Sequence, residues 1–176
     1  MWKIIESKKL FDEFHVKLIK DKVQLPDGAV IDDFYTVTIP DAALIVALNC
    51  DGKLLLKSEY RHACKCDVVE CPAGMVNPGE DPAVTARREL LEETGYESDS
   101  WEYLGPTWES TSKLTNTMHL FLARNCRKVG EQSLDENEHL DVIEVPFQDA
   151  VDMVMRGEIN ANSSCHAILK ASRLIG

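Results

Sequence analysis

The chain has 176 residues, of which 44% are hydrophobic and 28% are charged. This composition is ordinary for a globular protein, and the length suits one domain with a sizeable core. The formal net charge of −11 argues against nucleic acid or an anionic membrane as a partner, because phosphate groups are bound by basic patches that this sequence lacks.

The hydrophobic runs, such as Ala42 to Leu48, are far too short to span a bilayer, and residues 1–6 do not form a signal peptide. We therefore expect a cytoplasmic protein whose six cysteines are reduced thiols. One compact group of residues has side chains of the kinds that bind zinc: His62, Cys64, Cys66 and Cys71. The last part of this group continues into a strand-like run. Its spacing departs from that of a zinc knuckle, so free thiols are the preferred interpretation.

Residues 1–40 predict a strand-rich leader, followed by the main domain over residues 41–176. The leader contains three extended segments, with a turn at Pro26-Asp27-Gly28 between the second and the third: residues 2–10, 15–25 and 29–39. Two further strands, Ala42 to Asn49 and Leu54 to Tyr60, are joined at Asp51-Gly52, which is a hairpin signal.

The next element is a helix from Pro82 to Thr94, for which Asp81 is a suitable N-cap and Gly95 a suitable stop. Three of its glutamates, Glu89, Glu92 and Glu93, fall within an arc of roughly 100°. Like charges at this spacing repel, and two of them also lie at the negative end of the helix dipole. A cation should compensate them, and such a density of hard oxygen ligands suits Mg²⁺ or Mn²⁺. From the helix alone, neutralising Glu93 should leave the fold intact or slightly more stable.

After this helix, the pattern predicts three strands and then two helices. The strands cover residues 101–104, 117–123 and 140–145, and the helices cover residues 147–156 and 163–174, the first of which ends at Gly157. Strands in a central sheet with helices on its faces indicate the α+β class, as an α/β/α sandwich.

The segment GMVNPGEDPAVTARRELLEETGY, residues 74–96, resembles the Nudix box of the Nudix hydrolases at every fixed position. The matching residues are Gly74, Glu80, Arg88, Glu89, Glu92, Glu93 and Gly95. The resemblance implies the Nudix fold with a mixed central sheet, and hydrolysis of a phosphoric anhydride bond with the help of a divalent metal ion. Glu80 is expected to support the loop and the start of the helix.

The resemblance also implies roles for the polar residues of the box. Glu89 and Glu93 should bind metal directly, together with the backbone carbonyl of Ala73. Glu92 should bind a second ion or a bridging water, and Arg88 should orient the glutamates. Without the motif, the simpler interpretation is that Arg88 only forms an ion pair at the surface.

Other segments resemble the ADP-ribose pyrophosphatase branch: residues 25–28, 60–61, 70–74, 134–138, 144–146 and 157–159. In that branch a glutamate on a late loop is the general base, which makes Glu136 or Glu138 the candidate within an acidic cluster that also holds Asp135. An exposed acidic turn is the alternative. The chain departs from the branch at Ser110-Thr111-Ser112 and Asn116, in a loop tied to substrate choice, so ADP-ribose itself stays open.

Arg61 follows a strand and is a candidate bidentate donor to a diphosphate, while Glu70 is a candidate acceptor for a ribose or base hydrogen bond. A strand-end ion pair is an equally good interpretation of Glu70. Candidates for stacking on a base are Trp2, Phe34 and Tyr35 in the leader and Trp108 after the box helix, with core packing as the default for aromatic residues in strands. The branch implies that the leader crosses to a partner subunit in a homodimer.

The expected activity is Mg²⁺-dependent cleavage of a nucleoside diphosphate sugar, ADP-ribose or an ADP- or GDP-sugar, into a nucleoside monophosphate and a sugar phosphate. The alternative enzyme is a housekeeping hydrolase of nucleoside triphosphates. The alternative that is not an enzyme is a Nudix-like domain that binds a metabolite as a sensor. Such domains tend to lose box glutamates, and this chain retains all of them.

Overall fold

The structure is a computed structural model that describes residues 1–175, and it divides into two compact units. One unit consists of residues 1–41 and 108–117, and the other of residues 42–107 and those from 118 onward. No helix among the described residues is long and apolar enough to cross a membrane.

The first unit is built on a three-stranded antiparallel sheet. Its strands, in spatial order, are β1 (Lys3–Glu13), β2 (Val16–Gln24) and β3 (Val30–Thr38). The predicted turn after β2 is confirmed: the Gly28 N–H donates to the Leu25 carbonyl at 3.0 Å, and Gly28 has a φ of 90°. Such a φ favours glycine because a side chain would crowd the backbone.

Residues 108–117 join this unit through the backbone of β3. The Val37 N–H donates to the carbonyl of Lys113 at 2.8 Å, and the Thr115 N–H donates to the carbonyl of Val37 at 3.2 Å. This attachment was not predicted from the sequence, because a loop without hydrophobic periodicity carries no signal for its neighbour.

The second unit contains an eight-stranded mixed sheet. Its main path runs through β11 (Leu140–Pro146), β5 (Lys53–Arg61), β4 (Ala42–Asn49), β10 (Met118–Lys128) and β8 (Tyr96–Glu97). Three other strands pair with this path: β6 (Cys66–Glu70) with β5, β7 (Ala73–Met75) with β4, and β9 (Ser100–Thr107) with β10. The β4 and β10 strands are parallel and the remaining pairs are antiparallel.

The sheet lies between helices because β4 is buried on both faces. On one face Leu44, Val46 and Leu48 share a core with residues of α2 (Phe147–Arg156) and α3 (Asn162–Ala171). On the other face Ala43, Ile45 and Ala47 pack with Ala86 and Leu90 of α1 (Pro82–Thr94). The predicted α/β/α sandwich is confirmed.

The box helix α1 has the predicted bounds. The Asp81 carboxylate accepts a hydrogen bond from the Ala83 N–H at 2.9 Å, and Pro82 occupies the first helical position. At the other end Gly95 has a φ of 73°, and its N–H donates to the Leu91 carbonyl at 2.8 Å.

The last helix ends earlier than predicted. We predicted a helix to Leu174, but α3 ends at Ala171 and residues 172–174 form a turn. The Ser172 hydroxyl donates to the Leu169 carbonyl at 2.7 Å, which is the kind of local side-chain bond that competes with the helical pattern.

Candidate active site

The loop before α1 is fixed at both of its ends. At its start the Ile45 N–H donates to the Pro72 carbonyl at 2.9 Å, and β7 then pairs with β4. At its end the Glu80 carboxylate accepts hydrogen bonds from the Thr85 hydroxyl at 2.8 Å and from Asn77 at 3.2 Å. The Thr85 hydroxyl is also the main reason that the pKa of Glu80 is lowered. Glu80 therefore has the supporting contacts expected from the sequence.

The close approach of Glu89 to this loop depends on a glycine. A Cβ atom at Gly74 would overlap the Glu89 carboxyl group. Glu89 is buried, and burial raises its pKa while the neighbouring Arg88 opposes this rise. The loop and the helix thus hold a desolvated carboxylate against glycine backbone.

Arg88 bridges two of the box glutamates. Its Nη1 lies 2.6 Å from Glu89 Oε1 and 3.0 Å from Glu92 Oε2, while its Nη2 donates to the Met75 carbonyl at 3.3 Å. Its buried Nε has no hydrogen-bond partner among the described residues. These contacts agree with a role in orienting the glutamates.

Glu93 is held by a partner that sequence reasoning missed. Its Oε1 pairs with the ammonium of Lys57, and its Oε2 accepts a hydrogen bond from the Ala73 N–H at 3.0 Å. The Lys57 side chain is only 2% exposed. Burial raises the pKa of Glu93 to about 7, against the opposing effect of Lys57.

A signal for Lys57 was present in the sequence. Successive side chains of a strand alternate between its faces, so Lys57, Glu59 and Arg61 share a face of β5 with Leu55. Leu55 belongs to the core beneath α1, so the alternation, combined with the packing of α1 on this face, directs Lys57 toward the box helix.

Arg61 and Glu70 contact each other. The Arg61 guanidinium pairs through Nε and Nη2 with Glu70 Oε1, and its Nη1 lies 3.1 Å from Glu59 Oε1. This is the strand-end ion pair considered as the alternative for Glu70. Arg61 keeps 40% of its side chain exposed, so part of the guanidinium remains accessible.

These side chains surround a cavity of about 510 Å³ in the second unit. The cavity is lined by Ala42, Lys57, Glu59, Arg61, Ala73, Gly74, Met75, Asn77, Arg88, Glu89, Glu93, Met118, Asp135 and Glu138. Five of these residues are acidic and three are basic, so the lining carries a formal excess of two negative charges.

The late acidic loop reaches this cavity through two of its three acidic residues. Asp135 and Glu138 line it, whereas Glu136 is an exposed residue outside the lining. The Glu138 carboxylate accepts a hydrogen bond from the Asp135 N–H at 3.1 Å, and its charge contributes to raising the pKa of Glu89. Between the two predicted base candidates, the geometry favours Glu138.

The aromatic candidates all lie in the first unit. Trp2 is exposed and contacts Phe34 edge to face, with 5.6 Å between ring centroids. Tyr35 is exposed with the Lys20 ammonium 5.8 Å from its ring centroid, and Trp108 is exposed in the segment that joins β3. Core packing, the default expectation for these residues, does not account for three exposed rings.

All six cysteines are free thiols. Cys71 is buried and its backbone N–H donates to the Ser164 hydroxyl, whereas Cys64 and Cys66 are exposed. Among residues 1–175, no three His, Cys, Asp or Glu side chains are gathered closely enough to hold a metal ion in their present positions.

The box residues nevertheless have the donor types that a divalent cation requires. The carboxylates of Glu89, Glu92 and Glu93 are hard oxygen ligands, and a glycine leaves room for the first of them to approach the loop. At present, Arg88 lies between two of these carboxylates and Lys57 holds the third. The side chains of Arg88 and Lys57 thus lie beside the carboxylates that could bind the cation.

Comparison with known proteins agrees with this geometry. The model of the NUDIX domain family matches residues 38–164. A methanol dehydrogenase activator of Bacillus methanolicus is 34% identical over 94% of this chain and 90% of its own length. An ADP-ribose pyrophosphatase of Bacillus subtilis is 31% identical over the same shares of the two chains.

A solved structure described as an ADP compounds hydrolase has the same fold. It superposes with a TM-score of 0.85 and 19% identity, over 99% of this chain and 94% of its own. The family match covers the box helix, the loop before it and the late acidic loop. The chain therefore belongs to the Nudix family, and it is a hydrolase that acts on pyrophosphate bonds.

Proposed function

We propose that this hydrolase splits a nucleoside diphosphate sugar, ADP-ribose or a related ADP- or GDP-sugar, into a nucleoside monophosphate and a sugar phosphate, with Mg²⁺ or Mn²⁺ as cofactor. The observation that carries the proposal is the cavity of about 510 Å³ where Glu89 and Glu93 of the box, Arg61 and the late acidic loop meet. Its size suits a small molecule. The similarity to an ADP-ribose pyrophosphatase over nearly the whole chain supports the substrate class.

The charge of the cavity explains the need for a divalent cation. A diphosphate is itself anionic, and the lining already has an excess of two negative charges. We assign Glu89, Glu92, Glu93 and the Ala73 carbonyl to hold the cation. When bound, it neutralises phosphate charge and lowers the pKa of a coordinated water. Arg88 contacts one oxygen of Glu89 and one oxygen of Glu92, so it can orient both carboxylates while the cation uses their other oxygens.

The chain's own residues perform the remaining tasks. Glu138 lines the cavity on a loop and can accept the proton of the attacking water as general base. Arg61 binds a phosphate oxygen through the exposed part of its guanidinium. Arg88 restrains the glutamates through its contacts to Glu89 and Glu92.

Two organisational features belong to the same proposal. The free thiols at all six cysteines support a cytoplasmic location. The exposed apolar side chains along β1, among them Ile4, Leu10 and Phe11, support a homodimer that buries the leader. In such a dimer Trp2, Tyr35 or Trp108 would be the stacking partner for the base.

The substrate class is tested by product analysis over a panel of ADP-ribose, other ADP-sugars, GDP-sugars and nucleoside triphosphates, each with Mg²⁺ and with excess EDTA. We expect a nucleoside monophosphate and a sugar phosphate from at least one diphosphate sugar, and no turnover with EDTA. Preferential cleavage of triphosphates would favour the housekeeping hydrolase instead. Binding of a panel member without turnover would favour a sensor.

The base assignment is tested with a matched pair of substitutions on one loop. Glu138→Gln should lower kcat by roughly 10²–10⁴-fold with little change in KM, because the group acts on the water and not on the substrate. Glu136→Gln removes the same charge outside the cavity and should leave kcat nearly unchanged. Near-normal turnover of the Glu138 variant would contradict the assignment.

A further inference from the structure

Lys57 is a fully buried lysine that directly follows an apolar run in β5. Its side chain is 2% exposed, and the three residues before it, Leu54, Leu55 and Leu56, are completely buried. A buried ammonium is costly unless it is paired with anions. The lysine must therefore obtain its compensation from the groups around it.

Three carboxylates provide that compensation. Lys57 Nζ contacts Glu93 Oε1 and lies 3.4 Å from Glu59 Oε2 and 4.0 Å from Glu70 Oε1. The last two carboxylates also pair with Arg61. Glu93 is thus the closest partner of Lys57, and no hydrogen bond or ion pair among the described residues joins Glu93 to Arg61.

Both oxygens of Glu93 are engaged inside the protein. Oε1 contacts Lys57, and Oε2 accepts a hydrogen bond from the N–H of Ala73, the first residue of β7. A divalent cation that binds Glu93 must share an oxygen with one of these donors. It must also approach an ammonium that cannot withdraw into solvent, so like-charge repulsion opposes binding.

We propose that Lys57 is a positioning residue that holds Glu93 as an internal ion-pair partner and thereby weakens the binding of divalent cations at this carboxylate. The lysine acts as a fixed monovalent cation of the site. Removal of its charge should leave Glu93, Glu59 and Glu70 with an uncompensated negative charge that attracts a divalent ion. The inference rests on the proposed function only in that the site binds such ions.

The test is a Mn²⁺ titration of the full chain without substrate, in mildly alkaline buffer, with free Mn²⁺ measured by electron paramagnetic resonance. Lys57→Met and Lys57→Gln should bind Mn²⁺ about tenfold more tightly than the wild type, or bind an additional ion. Lys57→Arg keeps the charge and should remain close to the wild type.

Lys53→Met is the matched control. It makes the same substitution on the same strand, with the same change of net charge, but Lys53 is 44% exposed and pairs with Glu144 outside the cavity. This control should leave Mn²⁺ affinity unchanged. If it tightens binding as much as Lys57→Met does, overall charge is responsible and the proposal is wrong.

A measurement on the wild type keeps the proposal testable if the Lys57 variants do not fold. Selective ¹⁵N labelling of lysine side chains should reveal one ammonium resonance that is protected from solvent exchange, as expected for a buried, paired group. Saturation with Mg²⁺ should shift this resonance, because Glu93 is then shared with the cation. A protected resonance that does not shift would overturn the proposal.

The failures of the two proposals are distinguishable. If the wild type binds Mn²⁺ and hydrolyses a diphosphate sugar, but Lys57→Met binds no more tightly, only the role of Lys57 is refuted. If neither the wild type nor any folded variant binds Mn²⁺, the proposed cofactor is refuted, and the role of Lys57 is refuted with it.

Discussion

Glu93 experiences two opposing effects in its buried position. Burial favours the protonated carboxyl and raises its pKa to about 7, while Lys57 and the Ala73 N–H favour the ionised form. Such a pair adds little net stability, because the desolvation of both charges offsets their attraction. Removal of one partner is costly all the same, since the other charge stays buried.

Glu93→Gln should therefore destabilise the protein without added metal by about 1–3 kcal/mol, because Lys57 loses its closest partner and retains Glu59 at 3.4 Å. Urea unfolding in EDTA measures this change. The control is Glu92→Gln, since Glu92 is 42% exposed and its loss should change stability by less than about 0.5 kcal/mol. Equal stabilities for the two variants would contradict the importance of the buried pair.

The predicted loss of stability in Glu93→Gln is opposite to the expectation drawn from the helix sequence alone. Repulsion among the three glutamates suggested that neutralisation of Glu93 would be harmless or stabilising. That expectation takes no account of Lys57, because the helix sequence contains no information about a lysine on another strand. Lys57 becomes visible only when the alternation of β5 is combined with the packing of α1 on the same face.

Gly74→Ala should disturb the site through Glu89. The added methyl group would overlap the Glu89 carboxyl, so the carboxylate must move away from the loop. We expect kcat to fall at least roughly tenfold, with the fold retained in circular dichroism. Gly130→Ala is the control, since a Cβ there would have no atom within 4 Å. Full activity of the Gly74 variant would contradict the required close approach.

The helix α1 was the most predictable element because its local signals agree. A capping aspartate, a proline at the first position and a glycine in the left-handed conformation all mark the same bounds. The short strands β7 and β8 were not predicted, because two or three residues carry no measurable periodicity. The position of the late acidic loop also depends on tertiary contacts, so the sequence alone could not decide between Glu136 and Glu138.

Asp81→Ala should lower the free energy of unfolding by about 1 kcal/mol, because the Ala83 N–H at the start of α1 loses its acceptor. Thermal and urea unfolding measure this loss. Asp81→Asn retains a capping oxygen and should stay within a few tenths of a kcal/mol of the wild type. If both variants were equally destabilised, the charge of Asp81 would matter more than its hydrogen bond.

The layered arrangement of the second unit follows from patterns that the sequence displays. Continuous apolar runs in β4 and β5 indicate strands buried on both faces, and helices are then needed to cover both sides. The joining of residues 108–117 to the leader is different, because it consists of backbone hydrogen bonds that no side-chain pattern specifies. Domain bounds drawn from the sequence at residue 40 therefore omitted this segment.

The leader gives a prediction about assembly. Every residue of β1 is exposed, including several large apolar ones, which is a costly arrangement for an isolated chain. We expect a symmetric dimer in light scattering at micromolar concentration. Deletion of residues 1–39 should give a monomer with raised KM or no activity. A full-length monomer with full activity would refute the assignment of the leader to dimer formation.

The central claim is that the glutamate-lined cavity hydrolyses a nucleoside diphosphate sugar with a divalent cation. The most direct measurement is a ³¹P NMR time course of the best diphosphate sugar of the panel with the full-length protein and Mg²⁺, followed by addition of excess EDTA. The account predicts that the diphosphate signals are replaced by those of a nucleoside monophosphate and a sugar phosphate, that EDTA stops the reaction, and that Glu89→Gln abolishes it. Turnover that continues in EDTA, or that the Glu89 variant retains, would contradict the account.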